Sequence, residues 1–396
     1  MTERRRPFLP RLLAVLQRGV LWLSYSLHRL THRGAPSGYV VGMQEIAGLL
    51  GAIGDSLEGS LTVNLERNPF YDRSYGIEFP VGNGRLRRSV HRLRRLVVGP
   101  WLLGRLAVRY RTFVYVGGQG FLSTAHDGRD HELGFLRRLG REVVCYFTGS
   151  EIRSHVLLDA FGAERGIDVI TTYQRYVDPR LLTTEADRRR RALAEAADRH
   201  AHVIFNATVD QMSYLSRPTE PCLYFFPDDL IRARPEKWQD LSRLVVVHAP
   251  SSPVIKGTGL VHAAVRQLTA EGYAFDYVEI SNRPHTEVLA ILERAHVVLN
   301  EFYAFVPGVF GVEGMAANAV VVTSADGDIE PTLAPGANEA WVVTPYWRVY
   351  ENLKRVLDAP TGLQAQADRG TEWVRRNCSR SADRERLLGL LDDLTA

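Results

Sequence analysis

The apolar positions of this chain fall into two successive series of short runs. The first series is GYVVG (38–42), LTVNLE (61–66), TFVYVGG (112–118), EVVCYFTG (142–149), DVITT (168–172), HVIFNAT (202–208) and CLYFFP (222–227). Each is nearly continuous in apolar residues, as expected of parallel strands covered on both faces. A break follows at Pro227, Asp228 and Asp229, with a polar stretch through Pro235. The second series is LVVVHAP (244–250), YAFDYVEI (273–280), HVVLN (296–300), AVVVTS (319–324) and WVVTP (341–345), with helix-period segments such as 259–271 and 286–294 between the runs. This pattern predicts an α/β chain of two doubly wound, Rossmann-like domains, with a ligand cleft between them at the carboxyl ends of the strands. The expected divisions are an N-terminal basic amphipathic helix (1–34), a first domain (35–235), a second domain (236–378) and a C-terminal helix (379–396). The stretch 368–394 has helical periodicity.

The segment 8–33 has a helical period of its own. Leu9, Leu12, Leu13, Leu16, Val20, Leu23, Leu27 and Leu30 share one arc, and Arg11, Arg18 and Arg29 project opposite, flanked by Trp22 and Tyr25. Such a helix can lie in a bilayer interface, or it can dock its apolar arc on the protein with its arginines solvated. A second basic stretch, RLRRSVHRLRRLVV (85–98), sets Leu86, Val90, Leu93 and Val97 against Arg88, Arg92 and Arg95, and Pro100 is expected to end it. No apolar run reaches the ~18 residues of a spanning helix.

Charge sharpens this picture. The 396 residues carry a net charge of +4, but residues 1–126 hold 18 arginines, no lysine and 7 acidic residues. The remainder of the chain is net negative. A basic front end attracts a polyanion, and two basic amphipathic helices favour an anionic membrane surface. No helix-turn-helix, zinc or RNP pattern supports nucleic acid, so no nucleic-acid partner is expected. Three cysteines, Cys145, Cys222 and Cys378, form no disulfide framework. His28 and His32 stand four apart without a neighbouring Cys or carboxylate, so no metal site is expected.

Only three lysines accompany 46 arginines: Lys237, Lys256 and Lys354. Lys256 lies in HAPSSPVIKGTG (248–259), a strand end followed by a loop and a helix. Such a loop can bring an ammonium and backbone N–H groups to a phosphate, or simply expose a lysine. The run PGVFGVEGMA (307–316) opens a second helix, where Gly308, Val309, Phe310 and Gly311 can approach a ligand closely. Glu313, expected in its first turn, can accept two vicinal ribose hydroxyls or merely complement the helix dipole.

These residues together resemble a known family. The run 244–324 is similar to the donor-binding domain of GT-B glycosyltransferases, in its H-A-P-S, K-G-T, P-H-x-E-V-L (Pro284, His285, Glu287, Val288, Leu289), A-x-V-V-L-N-E and G-V-F-G-V-E-G-M-A segments. YFTGSEIR (146–153) and FPDD (226–229) resemble first-domain segments of the same group. The resemblance implies that Lys256 and Ser251 lie at the donor diphosphate, that Glu313, with Val309, Phe310 and Gly311 before it, holds the donor, that Arg283 lies near the base with the 280–283 loop, and that His285 also binds the donor. It places Thr148, Gly149, Glu151 and Arg153 on the acceptor side.

Three positions depart from the group's pattern. Phe305 stands where a sugar-contacting Glu is common, Ser251 where an Arg is common, and Thr148 where a His is common. Glu301 can replace the missing carboxylate. Glu132 faces the cleft if the first domain aligns, or is an ordinary first-turn carboxylate, and His126, His131 and His155 are candidate bases. Glu301, Glu132 and Thr148 are thus the catalytic candidates.

The resemblance implies transfer from a nucleotide-sugar donor to a lipid-linked or surface-polysaccharide acceptor. The expected place is the cytoplasmic, inner face of a membrane, with peripheral attachment, and no cofactor or metal is expected. Two other readings stay open: a non-catalytic nucleotide-sugar-binding or scaffold protein, and a transferase with a small soluble acceptor.

Overall fold

The computed structural model describes residues 8–65, 73–79 and 85–393. The strands form two separate parallel sheets. The first contains β1 (Tyr39–Met43), β2 (Leu61–Asn64), β3 (Ile77–Glu78), β4 (Thr112–Val116), β5 (Glu142–Tyr146) and β6 (Val203–Phe205), in the order β3-β2-β1-β4-β5-β6. The second contains β7 (Leu244–His248), β8 (Phe275–Glu279), β9 (Val297–Leu299), β10 (Val320–Thr323) and β11 (Val342–Val343), in the order β11-β10-β9-β7-β8.

The continuous apolar runs follow from burial on both faces. Val40, Phe113, Tyr115 and Val143 enter one core layer of the first sheet, while Val41, Val114, Val116 and Val144 enter the other. In the second sheet Val247, Val298 and Val321 pack on one side and Val246, Val297, Leu299, Val320 and Val322 on the other. Both sheets reverse their winding beside the first strand, between β1 and β4 and between β7 and β9. A crevice opens at the carboxyl ends of the strands at such reversals.

Two expected strands are absent. The last three residues of DVITT begin a helix, Ile170–Gln174. Of CLYFFP, no residue joins a sheet; Phe226 instead donates its N–H to Cys378 O at 2.8 Å and accepts from Arg380 N at 2.7 Å. The chain crosses between the sheets here twice. The helix Arg380–Asp392 returns to the first sheet, packing Leu387 and Leu391 beside Val41 and Val114, while Asp383 Oδ2 accepts the N–H groups of Tyr224 (2.7 Å) and Phe225 (2.8 Å). The expected helix 368–394 is two helices, Leu363–Asn377 and Arg380–Asp392.

Three helices of the first domain frame the rest: α1 (Phe8–Thr31), α2 (Leu49–Ser56) and α3 (Arg85–Arg109). Pro100 does not end α3 but lies inside it. Leu103, Leu106 and Ala107 beyond it are buried, and their packing outweighs the roughly 3 kcal/mol that an interior proline costs. Helix α1 docks on α3, but not by its leucine arc. Gln17, Leu21 and Ser24 are the buried face, with Ser24 Oγ donating to Trp101 O at 2.6 Å. Leu12, Leu16, Leu23, Leu27 and Leu30 are exposed, the last to 82%. Among the described residues no helix is long and apolar enough to cross a membrane.

Candidate functional site

A cleft of about 350 Å³ lies between the two sheets. Its first-domain wall comes from the turn after β1 (Glu45, Ala47, Gly48), from Ala52 of α2 and from Arg73. Its second-domain wall is Pro284, His285, Thr286, Leu289, Val309 and Glu313. Residues 224–227 and Arg380 close the back, where the chain crosses. The first-domain wall was not expected from the sequence; the glycines of EIAGLLG (45–51), in the first turn after β1 where a doubly wound sheet takes its ligand, are the signal that could have found it. Arg73, Tyr224 and Arg380 left no local signal.

Glu313 is buried in the second turn of the helix Gly308–Ala316, not the first, because the helix begins at Gly308. It therefore does not serve as a dipole partner at the helix start. His285 Nε2 donates to Glu313 Oε1 at 2.6 Å, and this bond holds the imidazole above its usual value against the opposing effect of burial. Val309 lines the cleft, while Phe310 packs partly into the core. Gly311 is small for an internal reason: a Cβ there would meet Asn300 Nδ2 and Pro307 Cβ at 2.9 Å. Arg283 is exposed and pairs with Glu287 at 3.3 Å, and Ser251 is exposed in the loop after β7.

Lys256 ends the short helix Pro253–Lys256, beyond the carboxyl end of β7. Glu301 follows β9, and the two strands are the neighbours at the winding reversal. Lys256 Nζ donates to Glu301 Oε2 at 2.5 Å in a partly buried ion pair. His248, of the H-A-P-S run, is fully buried; it bonds Leu299 O at 2.7 Å and Thr258 Oγ1 at 2.9 Å, tying β7 to β9 and to the following helix. The other two lysines are structural. Lys237 Nζ donates to Ala295 O (2.7 Å) and Ala317 O (2.8 Å), with burial pulling its pKa down to about 7, and Lys354 pairs with Asp358. Retention of lysine in an arginine-rich chain is therefore no specific sign of phosphate chemistry.

On the first-domain side, Glu132 does not open into the cleft. It is fully buried, accepting from Tyr115 Oη (2.7 Å), Phe121 N (3.0 Å) and Leu122 N (2.7 Å) and pairing with Arg129. It fixes the loop after β4. Thr148 N and Oγ1 both donate to Glu151 Oε1, closing the turn around Gly149 after β5. Burial and nearby arginines pull His131 down to about 4. His155 lies 3.8 Å from Asp187, and the side chain of His126 is outside the described residues, as are those of Arg88 and Arg92.

Arg153 belongs to a buried contact between the domains. Its Nη2 pairs with Asp210 Oδ2 at 2.7 Å, and Asp210 Oδ1 accepts the N–H of Phe305 from the second domain at 2.8 Å. Glu330, also of the second domain and fully buried, accepts the N–H groups of Thr208 (3.0 Å), Val209 (2.7 Å) and Asp210 (2.8 Å). Phe305 packs with Leu158, Val169 and Val209. The position where a sugar-contacting Glu was missed thus holds an apolar plug between the domains. Tyr173 and Tyr303 meet across the same boundary, their rings tilted by 33° with centroids 4.3 Å apart.

No protein-family model matches the chain, and no curated protein matches it significantly. Solved structures do. A sucrose-phosphate synthase (tll1590) from Thermosynechococcus elongatus superposes with a TM-score of 0.56 at 13% identity, covering 91% of this chain and 96% of its own. Alr3699/HepE of Anabaena, solved in complex with UDP and glucose, gives a TM-score of 0.53 at 13% identity over 89% and 98%. WaaG, a glycosyltransferase involved in lipopolysaccharide biosynthesis, gives 0.51 at 12% identity over 88% and 97%. At these identities the likeness establishes the fold: two Rossmann-like domains in the GT-B arrangement.

Proposed function

We propose that the chain is a glycosyltransferase, moving a sugar from a nucleotide-sugar donor to an acceptor hydroxyl. The observation that carries this reading is the placement of Glu313 on the cleft wall, on the same helix whose start lies beside the Lys256–Glu301 pair at the β7/β9 reversal. In this reading Glu313 takes the ribose hydroxyls, and the base lies by the 280–283 loop. The Lys256 ammonium and the free N–H groups of the helix Gly308–Ala316 face the diphosphate. Negative charge on that leaving group grows toward the transition state, so fixed donors of this kind favour the transition state over the bound substrate. The acceptor enters against the loops after β1, β4 and β5. A neighbour solved with UDP and glucose supports the donor class.

The proposed acceptor is lipid-linked or a surface polysaccharide, met at an anionic membrane surface. Support comes from the outward leucines of α1, joined by exposed Val97, Val98 and Trp101 of α3, with exposed Arg11, Arg18 and Arg29 on α1. A helix with an exposed apolar stripe and cationic side chains on its far side suits the headgroup region of such a bilayer.

The test is turnover by the purified full chain. Release of nucleoside diphosphate from a nucleotide sugar is expected, with Lys256→Ala slowing it about 10²–10³-fold. Nucleotide binding without turnover would instead favour the non-catalytic module. Leu23→Glu with Leu27→Glu changes only exposed positions and is expected to abolish sedimentation with phosphatidylglycerol vesicles. Unchanged sedimentation would move the membrane contact elsewhere.

A further inference from the structure

Glu301 has a fixed backbone and a charged tip in a crowded place. Its carbonyl oxygen accepts from Ser324 N (3.0 Å), Ser324 Oγ (3.2 Å) and Thr323 Oγ1 (3.1 Å), which anchors the residue at the end of β9. One carboxylate oxygen meets the Lys256 ammonium at 2.5 Å. The other lies against Gly308, the first residue of the helix that carries Glu313; a Cβ at Gly308 would stand 3.1 Å from it. Gly308 has φ +58°, so glycine suits that position on both counts. Asn300 Nδ2 donates to Pro307 O at 2.7 Å and holds this helix start beside β9. A single carboxylate thus pairs with the lysine through one oxygen and sets the other beside the first residue of the helix, where the dipole favours negative charge.

We infer that Glu301 is a built-in stand-in for the donor diphosphate: its carboxylate occupies the anion position beside Lys256 and must be displaced when the diphosphate binds. The inference rests on the donor site proposed above and adds its regulation. The physical reason is that two anions cannot share one ammonium and one helix end without repulsion, so the internal anion competes with the external one. Because the backbone is pinned, displacement means rotation of the side chain alone. The ion pair keeps Lys256 ordered and neutralised between turnovers, and it sets a threshold: a monoanion displaces Glu301 poorly, while a diphosphate, with more charge and more acceptor oxygens, displaces it well. Glu301 is therefore a residue that tunes ligand choice at the site.

The test is calorimetric titration of the full chain and of Glu301→Gln with inorganic pyrophosphate, UDP, GDP, ADP and uridine. Glu301→Gln keeps the side-chain shape and removes the charge; Glu301→Ala is the second variant should the first fold poorly. The inference expects both variants to bind pyrophosphate and at least one nucleoside diphosphate about tenfold or more tighter than the wild type, with uridine unchanged. Equal or weaker diphosphate binding by the variants, while the wild type binds, overturns the inference and makes Glu301 a positioning residue for Lys256. A gain that extends to uridine also overturns it, since the effect is then not on the anion. Failure of wild type and variants alike to bind any of these nucleotides overturns the donor-site reading itself.

Discussion

Glu330→Ala is the substitution whose effect can be worked out most fully from the structure. Glu330 comes from the second domain, is fully buried, and accepts three backbone N–H groups of the first. Thr208 is exposed and can turn to water, but Val209 and Asp210 are buried and cannot. Each buried donor left without a partner costs about 1–3 kcal/mol, so the two together cost about 2–6 kcal/mol. Thr332, whose Oγ1 donates to Glu330 Oε1 at 2.6 Å, loses a partner as well. Because Asp210 also holds Arg153 and the N–H of Phe305, the loss falls on a contact that joins the two domains. The assay is native-state hydrogen exchange at residues 209 and 210. Protection there is expected to fall by at least about 30-fold, the factor that corresponds to about 2 kcal/mol, while the strands of both sheets keep theirs. Unchanged protection at these two amides would refute the claim that this carboxylate clamps the domains together.

The sheets were legible because parallel strands buried on both faces are continuous apolar runs, and nearly all of them stand where the runs do. The failures have physical causes. DVITT is rich in β-branched residues, but Thr172 Oγ1 accepts the Val169 N–H at 3.1 Å and Thr171 Oγ1 donates to Asp159 at 2.6 Å, and these local bonds favour a helical turn. CLYFFP is apolar because it crosses between domains, and its backbone partners, Cys378 and Asp383, lie some 150 residues later. The α1 periodicity was visible, but which face docks was not, since Gln17 and Ser24 are polar residues that find partners in Ser123 and Trp101. At the site, Pro284, His285, Leu289, Val309 and Glu313 of the second wall lie in segments the sequence singled out, while Lys256, Ser251 and Arg283 do not line it. The pairings were not legible: Lys256 with Glu301 and His285 with Glu313 join positions tens of residues apart, and the Glu330 clamp joins positions still farther apart that no pattern announced.

One partly buried and one buried group carry pH-dependent predictions. The Glu313 carboxylate raises the His285 imidazole above 6.5, so this pair stabilises the fold below the unfolded value and the contribution is lost as pH rises through the folded one. An NMR titration should find His285 above 6.5 and Glu313→Gln should bring it down; a value at or below 6.5 in the wild type would contradict the pairing. Burial pushes Asp383 up from 3.8 to about 7, so between those values the folded state holds a proton that the unfolded state has released, and stability falls as pH rises through the window. Asp383→Asn can still accept the Tyr224 and Phe225 N–H groups, so denaturant unfolding should show it gaining on the wild type from pH 4 to pH 7, by about 4 kcal/mol in all. A difference that stays constant with pH would contradict the assignment.

The account as a whole depends on the cleft accepting a nucleoside diphosphate with its ribose on Glu313. Thermal unfolding of the full chain with a panel of nucleoside diphosphates, each beside its 2′,3′-dideoxy analogue, tests this most directly. A ligand that binds only the native state raises the midpoint as its concentration rises. The account predicts such a rise for at least one nucleoside diphosphate and its loss for the matching dideoxy compound, which offers Glu313 no hydroxyls. No shift with any of them, or an equal shift with the dideoxy analogue, would contradict it.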